Sequence, residues 1–111
     1  LEKNKFIRLS PIAYYLRYFE PSFYMDFHTH KYLEFMYCVE GSFTVAILDE
    51  NNNYKNIIVN ENEYIFINSN KKHKLVIQKG SKPLIGNVEF MILNDFEIDF
   101  AFISSTFLIF T

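Results

Sequence analysis

Between residues 33 and 40 the chain alternates in a way that suits an extended backbone. Leu33, Phe35, Tyr37 and Val39 fall on one face, and Glu34, Met36 and Cys38 on the other, because successive side chains of a strand point to opposite sides. Apolar residues on both faces predict a strand covered on both sides, as in a barrel or sandwich. Gly41-Ser42 marks a reversal, and residues 43–48 return. Upstream, Pro11 interrupts any helix, and the Tyr-, Leu- and Phe-rich run 12–19 predicts a strand. Glu20-Pro21-Ser22 reads as a turn, and residues 23–30 as a second strand. Further strands are predicted over 56–59, 64–67, 74–77 and 84–93, separated by polar stretches rich in Asn, Ser, Lys and Asp. With only three glycines in the chain, Asn is expected to supply positive-φ turn positions, since it tolerates the left-handed region best after Gly. Short strands at this spacing predict an all-β sandwich or barrel. Residues 1–10 read as a frayed lead-in with Phe6 and Ile7 touching the body. Residues 96–111, which end on the apolar run 107–111, read as a segment cut from something longer.

Composition narrows the picture. One hundred and eleven residues make one domain, over 1–111, able to bury a core without staples. Half of the residues are hydrophobic and 19% aromatic, which excludes a disordered chain and predicts a homodimer, because a small monomer cannot hide that much apolar surface. A net charge of −2 gives no basic footprint for nucleic acid, and Lys71-Lys72-His73-Lys74 is short enough to read as a solvated turn. The single cysteine excludes an internal disulfide and a cysteine-based zinc site; Cys38 reads as a small core residue. No apolar run reaches the roughly 18 residues of a membrane span, so no membrane partner is expected and a reduced, cytoplasmic setting is. There is no Ser-His-Asp order, phosphate-binding glycine loop or CxxC pair.

The candidate chemistry lies in the histidines. His28, His30 and Glu34 share one strand parity, and His73 lies in another predicted strand. Imidazole nitrogen and carboxylate oxygen are ligands that Zn, Fe, Mn and Ni sites use. The anchor reads H-x-H-x3-E-x6-G from His28 to Gly41 and resembles the first motif of the cupin superfamily at each fixed ligand position. The second cupin motif is a Gly, five residues, Pro-x-Gly, two residues and a His. Ended on His73, it places Asn62, Asn68 and Asn70 where the family has Gly, Pro and Gly, and Ile77 where an Asn often follows. The histidine is kept and the turn residues are replaced. Within cupins the chain is most similar to the N-terminal sensor domains of AraC-type transcription regulators, through residues 27–45, 62–75 and 85–90, a likeness running from Tyr24 to Leu93.

The resemblance implies a cupin-type double-stranded β-helix, a jelly-roll barrel, with His28, His30, Glu34 and His73 turned inward. It implies a small-molecule effector and a DNA-binding helix-turn-helix domain downstream, through which alone DNA would be contacted. The four donors would suit a divalent transition metal; the alternative is a polar pocket floor where the histidines hydrogen-bond to Glu34 and to a ligand. The lost Gly-Pro-Gly frame favours the second. Asp26 shares the parity of His28 and His30 and is expected to face inward with them. Met36, Leu75, Asn87 and Glu89 are the further expected lining residues, since the resembling sensors line their pocket with the strand that carries Asn87 and Glu89; that these two simply face water is the other reading. Three functions remain open: a ligand-sensing module of a transcription factor, a metal-dependent cupin enzyme (oxygenase or isomerase), and a metal-free oligomerisation unit.

Overall fold

The computed structural model describes residues 8–49, 51–93 and 107–110. Eight strands appear among them: β1 (Leu9–Tyr18), β2 (Leu33–Glu40), β3 (Ser42–Leu48), β4 (Tyr54–Asn60), β5 (Tyr64–Ile67), β6 (His73–Val76), β7 (Leu84–Ile92) and β8 (Phe107–Phe110). They form two antiparallel sheets, one of five strands in the order β1-β7-β2-β5-β8 and one of three in the order β4-β3-β6. The all-β expectation holds. The lead-in contacts expected of Phe6 and Ile7, and most of the terminal segment, lie outside the described residues.

The inner faces meet in one core. β2 contributes Met36 and Cys38, β3 contributes Phe43, Val45 and Ile47, and β5 contributes Ile65 and Ile67, with Val59, Leu75 and Ile85 from β4, β6 and β7; all are buried. Full burial of each larger aliphatic or aromatic side chain stabilises the fold by about 1.5–3 kcal/mol. Cys38 is a core residue whose thiol donates to the carbonyls of Glu40 and Gly41; burial pushes its pKa up to about 11, so the thiolate is suppressed.

Two departures from the sequence reading have physical causes. β1 begins at Leu9 and runs through Pro11. It is an edge strand with a register shift between Pro11 and Ala13, and edges and bulges are where a strand tolerates a residue lacking its N–H. Residues 23–30 are not a regular strand. An isolated bridge between His28 and His73 ties them to β6, and the Leu75 N–H, which a continued ladder would give to a carbonyl, is directed instead at the Met25 sulfur at 3.4 Å.

Asn carries the turns as expected. Asn52, Asn62 and Asn70 have φ of 65°, 70° and 64°. Asn62 and Asn70 stand at the two motif positions where glycine was replaced, so the turns survive the substitution.

Candidate metal and ligand site

The backbone assembles the site from two distant stretches. His28 and His73 exchange N–H···O=C bonds of 2.9 and 3.0 Å, and the Asn70 N–H donates to the His30 carbonyl at 2.7 Å. The left-handed turn at Asn70 is therefore stitched directly to the His-x-His segment. Glu34 enters from β2, buried. The result is a cluster of His28, His30, Glu34 and His73 whose ligand atoms all lie within 4.8 Å of one another. The rings of His28 and His73 are 4.4 Å apart, those of His30 and His73 5.2 Å, and those of His28 and His30 5.6 Å.

Each imidazole is oriented by a carbonyl. His28 Nδ1 lies 3.2 Å from the Asp26 carbonyl, His30 Nδ1 3.1 Å from that of Tyr32, and His73 Nδ1 2.7 Å from that of Lys71. A carbonyl only accepts, so all three Nδ1 atoms carry the proton, and the lone pair of each neutral ring is on Nε2. A second-shell hydrogen bond of this kind is how proteins fix the tautomer of a metal-binding histidine. His73 Nε2 stands 2.9 Å and His30 Nε2 3.2 Å from Glu34 Oε1. For those contacts to be hydrogen bonds to a carboxylate, each Nε2 must be protonated as well, which makes the ring cationic. Protons and a metal ion would thus compete for the same nitrogens. The donor set, three nitrogens and one carboxylate oxygen, fits a first-row divalent ion.

The electrostatics follow this geometry. Burial works against a charged Glu34, but hydrogen bonds from His30 and His73 outweigh it and hold the carboxyl at about 2. The hydrogen bond to Glu34 raises the His30 pKa, with burial opposing.

Around the cluster, β7 faces inward through Asn87 and Glu89, and the interstrand register places Glu89 opposite Glu34 and Asn87 opposite Met36. Met36 and Leu75 are buried in the core. Asn87 is buried too, with neither amide atom hydrogen-bonded. The inward orientation expected of Asp26 is corrected: it is exposed and accepts a hydrogen bond from the Tyr24 hydroxyl. Strand parity failed there because residues 23–30 lack a continuous ladder. Asp26 serves the cluster through its backbone carbonyl instead.

Tyr15 was not anticipated. It lies opposite Asn87 across β1 and β7 and packs on the core. Burial pushes its pKa up to about 12, with the Glu34 and Glu89 carboxylates adding and Arg17 offsetting, so it stays a phenol. β1 has large apolar or aromatic residues at both parities, and the sequence therefore could not single Tyr15 out.

A family profile described as "Cupin domain" matches residues 15–86 and takes in all four cluster residues. No curated protein matches the chain. Among solved structures it is similar to oxalate decarboxylase from Bacillus subtilis at pH 4.6, with 23% identity over 58% of this chain and 17% of that one and a TM-score of 0.49. An alanine variant of the same enzyme gives 24% identity over 57% and 17%, TM-score 0.49. A tryptophan-to-phenylalanine variant gives 21% over 61% and 20%, TM-score 0.49. The chain thus spans a fifth or less of those proteins, and the likeness stops at the course of the backbone. No helix among the described residues is long and apolar enough to cross a membrane.

Proposed function

The chain belongs to the cupin domain family, and from that premise we propose that it is the small-molecule-sensing module of an AraC-type transcription regulator. One observation carries the reading. Two of the three blocks similar to such sensors, residues 27–45 and 62–75, are brought together by the His28–His73 bridge, and the third, residues 85–90, lies in β7 beside β2, so the likeness falls on the walls of a single site. In this reading the interior between the sheets takes the effector, the cluster forms its polar end, and DNA is contacted only by a domain downstream. The reading frame beyond Thr111 tests it: a helix-turn-helix domain supports the proposal, and its absence removes it.

A second reading, a metal-dependent cupin enzyme of the oxygenase or isomerase type, is favoured by the convergence of four donors within 4.8 Å. His28, His30 and His73 through Nε2, and Glu34 through a carboxylate oxygen, would hold the ion. When bound it would supply a Lewis acid for an oxygen ligand. The residues themselves do the rest: the Asp26, Tyr32 and Lys71 carbonyls fix the rings, and burial keeps bulk water from Glu34. Elemental analysis of unchelated protein separates the readings. One metal per chain, lost on Glu34→Gln, promotes the enzyme.

A further inference from the structure

Asn87 is an expensive residue for this fold to carry. It is 1% exposed, and neither its Oδ1 nor its Nδ2 has a hydrogen-bond partner in the protein. Buried amides are nearly always paired, and an unpaired one destabilises. Leucine, of similar size, would fill the position without that penalty. Asn68 also has a buried oxygen without a protein partner, but its side chain is only half-buried.

The position of Asn87 indicates what the amide serves. It stands opposite Tyr15 on one side and Met36 on the other, and Met36 in turn stands opposite Ile65. Two residues along, Glu89 lies opposite Glu34. The amide is therefore on the inner face, one row from the histidine–glutamate cluster, with an apolar side chain and a phenol as its cross-strand neighbours.

We infer that this interior row is a recognition site for a small neutral molecule with a donor–acceptor edge, such as a carboxamide or lactam, read by the Asn87 amide. The inference rests on the sensor reading only in taking the interior as the ligand's place. An asparagine amide offers one acceptor and one donor group side by side, and only a partner with the reverse pair satisfies both. A carboxylate, which only accepts, would leave Oδ1 unpaired. A cation would leave Nδ2 unpaired. The Tyr15 hydroxyl remains a donor and offers a second contact to a carbonyl oxygen.

The probes are isobutyramide, 2-pyrrolidone and isobutyrate, added to the 111-residue chain. The readouts are the Asn87 side-chain NH2 resonances, assigned through the backbone, and the melting temperature. Both amides are expected to shift the Asn87 resonances and, at tenfold excess over Kd, to raise the melting temperature by about 6 °C, while isobutyrate does neither. Asn87→Leu is expected to melt no lower than the parent and to lose the response. Unmoved resonances with both amides, an equal response to isobutyrate, or an undiminished response in Asn87→Leu would each overturn the inference. Should Asn87→Leu fail to fold, the resonances of the unmodified chain decide alone. A downstream reading frame without a helix-turn-helix would remove the sensor reading and leave the amide response untouched. Silent amides would remove this inference and leave that reading standing.

Discussion

Replacing Glu34 by Gln tests the electrostatic account of the cluster. A buried carboxyl held at about 2 instead of its ordinary 4.5 corresponds, at about 1.4 kcal/mol per pKa unit, to about 3 kcal/mol of stability. The folded pKa is lowered, so this contribution is present above 4.5 and is lost as pH falls from there towards 2. His30 has the opposite sign. Its pKa is raised, so its contribution is present below about 6.5 and is lost as pH rises through the raised value. Both contributions therefore hold near pH 5.5, which sets the assay: urea unfolding at that pH with a chelator present. Glutamine keeps the shape and one acceptor but has no charge to offer protonated His30. With a urea slope of about 1.5 kcal/mol per molar, the midpoint should drop by about 2 M, and the variant should lose the wild type's decline between pH 4.5 and 2. A drop smaller than about 0.5 M, or an unchanged acid limb, would refute the account.

If the cluster takes up a divalent ion, its affinity should fall as pH drops through the histidine range near about 6.5, since each Nε2 must be free of its proton; calorimetric titration with zinc at several pH values reads this, and a flat profile contradicts it. Asn62→Ala and Asn70→Ala should each cost about 1 kcal/mol, because both positions have left-handed φ where a Cβ without a compensating polar group is disfavoured; unchanged urea midpoints would count against this. Self-association is expected through the outer face of β1, where Tyr14, Leu16 and Tyr18 are exposed, and a clean monomer in sedimentation at high concentration would count against it. The isolated domain should not bind DNA with specificity, given its charge of −2; sub-micromolar gel-shift binding at physiological salt would contradict this.

The strands were legible where one side chain in two had to be buried. In β2 the alternation of Met36 and Cys38 with Phe35 and Tyr37 is reproduced as buried against half-buried, and β5 occupies the span that was predicted. The convergence of His28, His30, Glu34 and His73 was legible because motif spacing reports which residues a barrel must turn inward. Parity misplaces Asp26 because it presupposes a continuous ladder, whereas residues 23–30 meet β6 at the single bridge His28–His73 and Asp26 is exposed. Tyr15 was invisible because its inward role depends on a long-range pairing with β7, which no local pattern encodes. The strand β8 pairs with β5 from within a run read only as an abrupt end, for the same reason.

The backbone holds this site more firmly than the side chains of the turn suggest. Loss of Gly, Pro and Gly before His73 would by itself loosen the turn. Yet Asn70 reaches the left-handed region unaided and gives its N–H to the His30 carbonyl, while the carbonyl of the next residue, Lys71, fixes the His73 ring. The replaced turn therefore supplies two of the restraints that orient the cluster. A site whose rings are fixed by main-chain carbonyls keeps its shape whether protons or a metal occupy the centre, because neither occupant alters the Nδ1 bonds. This pre-set geometry is compatible with a sensor and with an enzyme, so the cluster alone does not choose between them. That choice falls to the metal content of unchelated protein and to the reading frame beyond Thr111. Asn87, buried one row from the cluster with no partner in the protein, bears on a separate question, the chemical class of molecule that the interior takes, and its response to amides answers that question whichever reading holds.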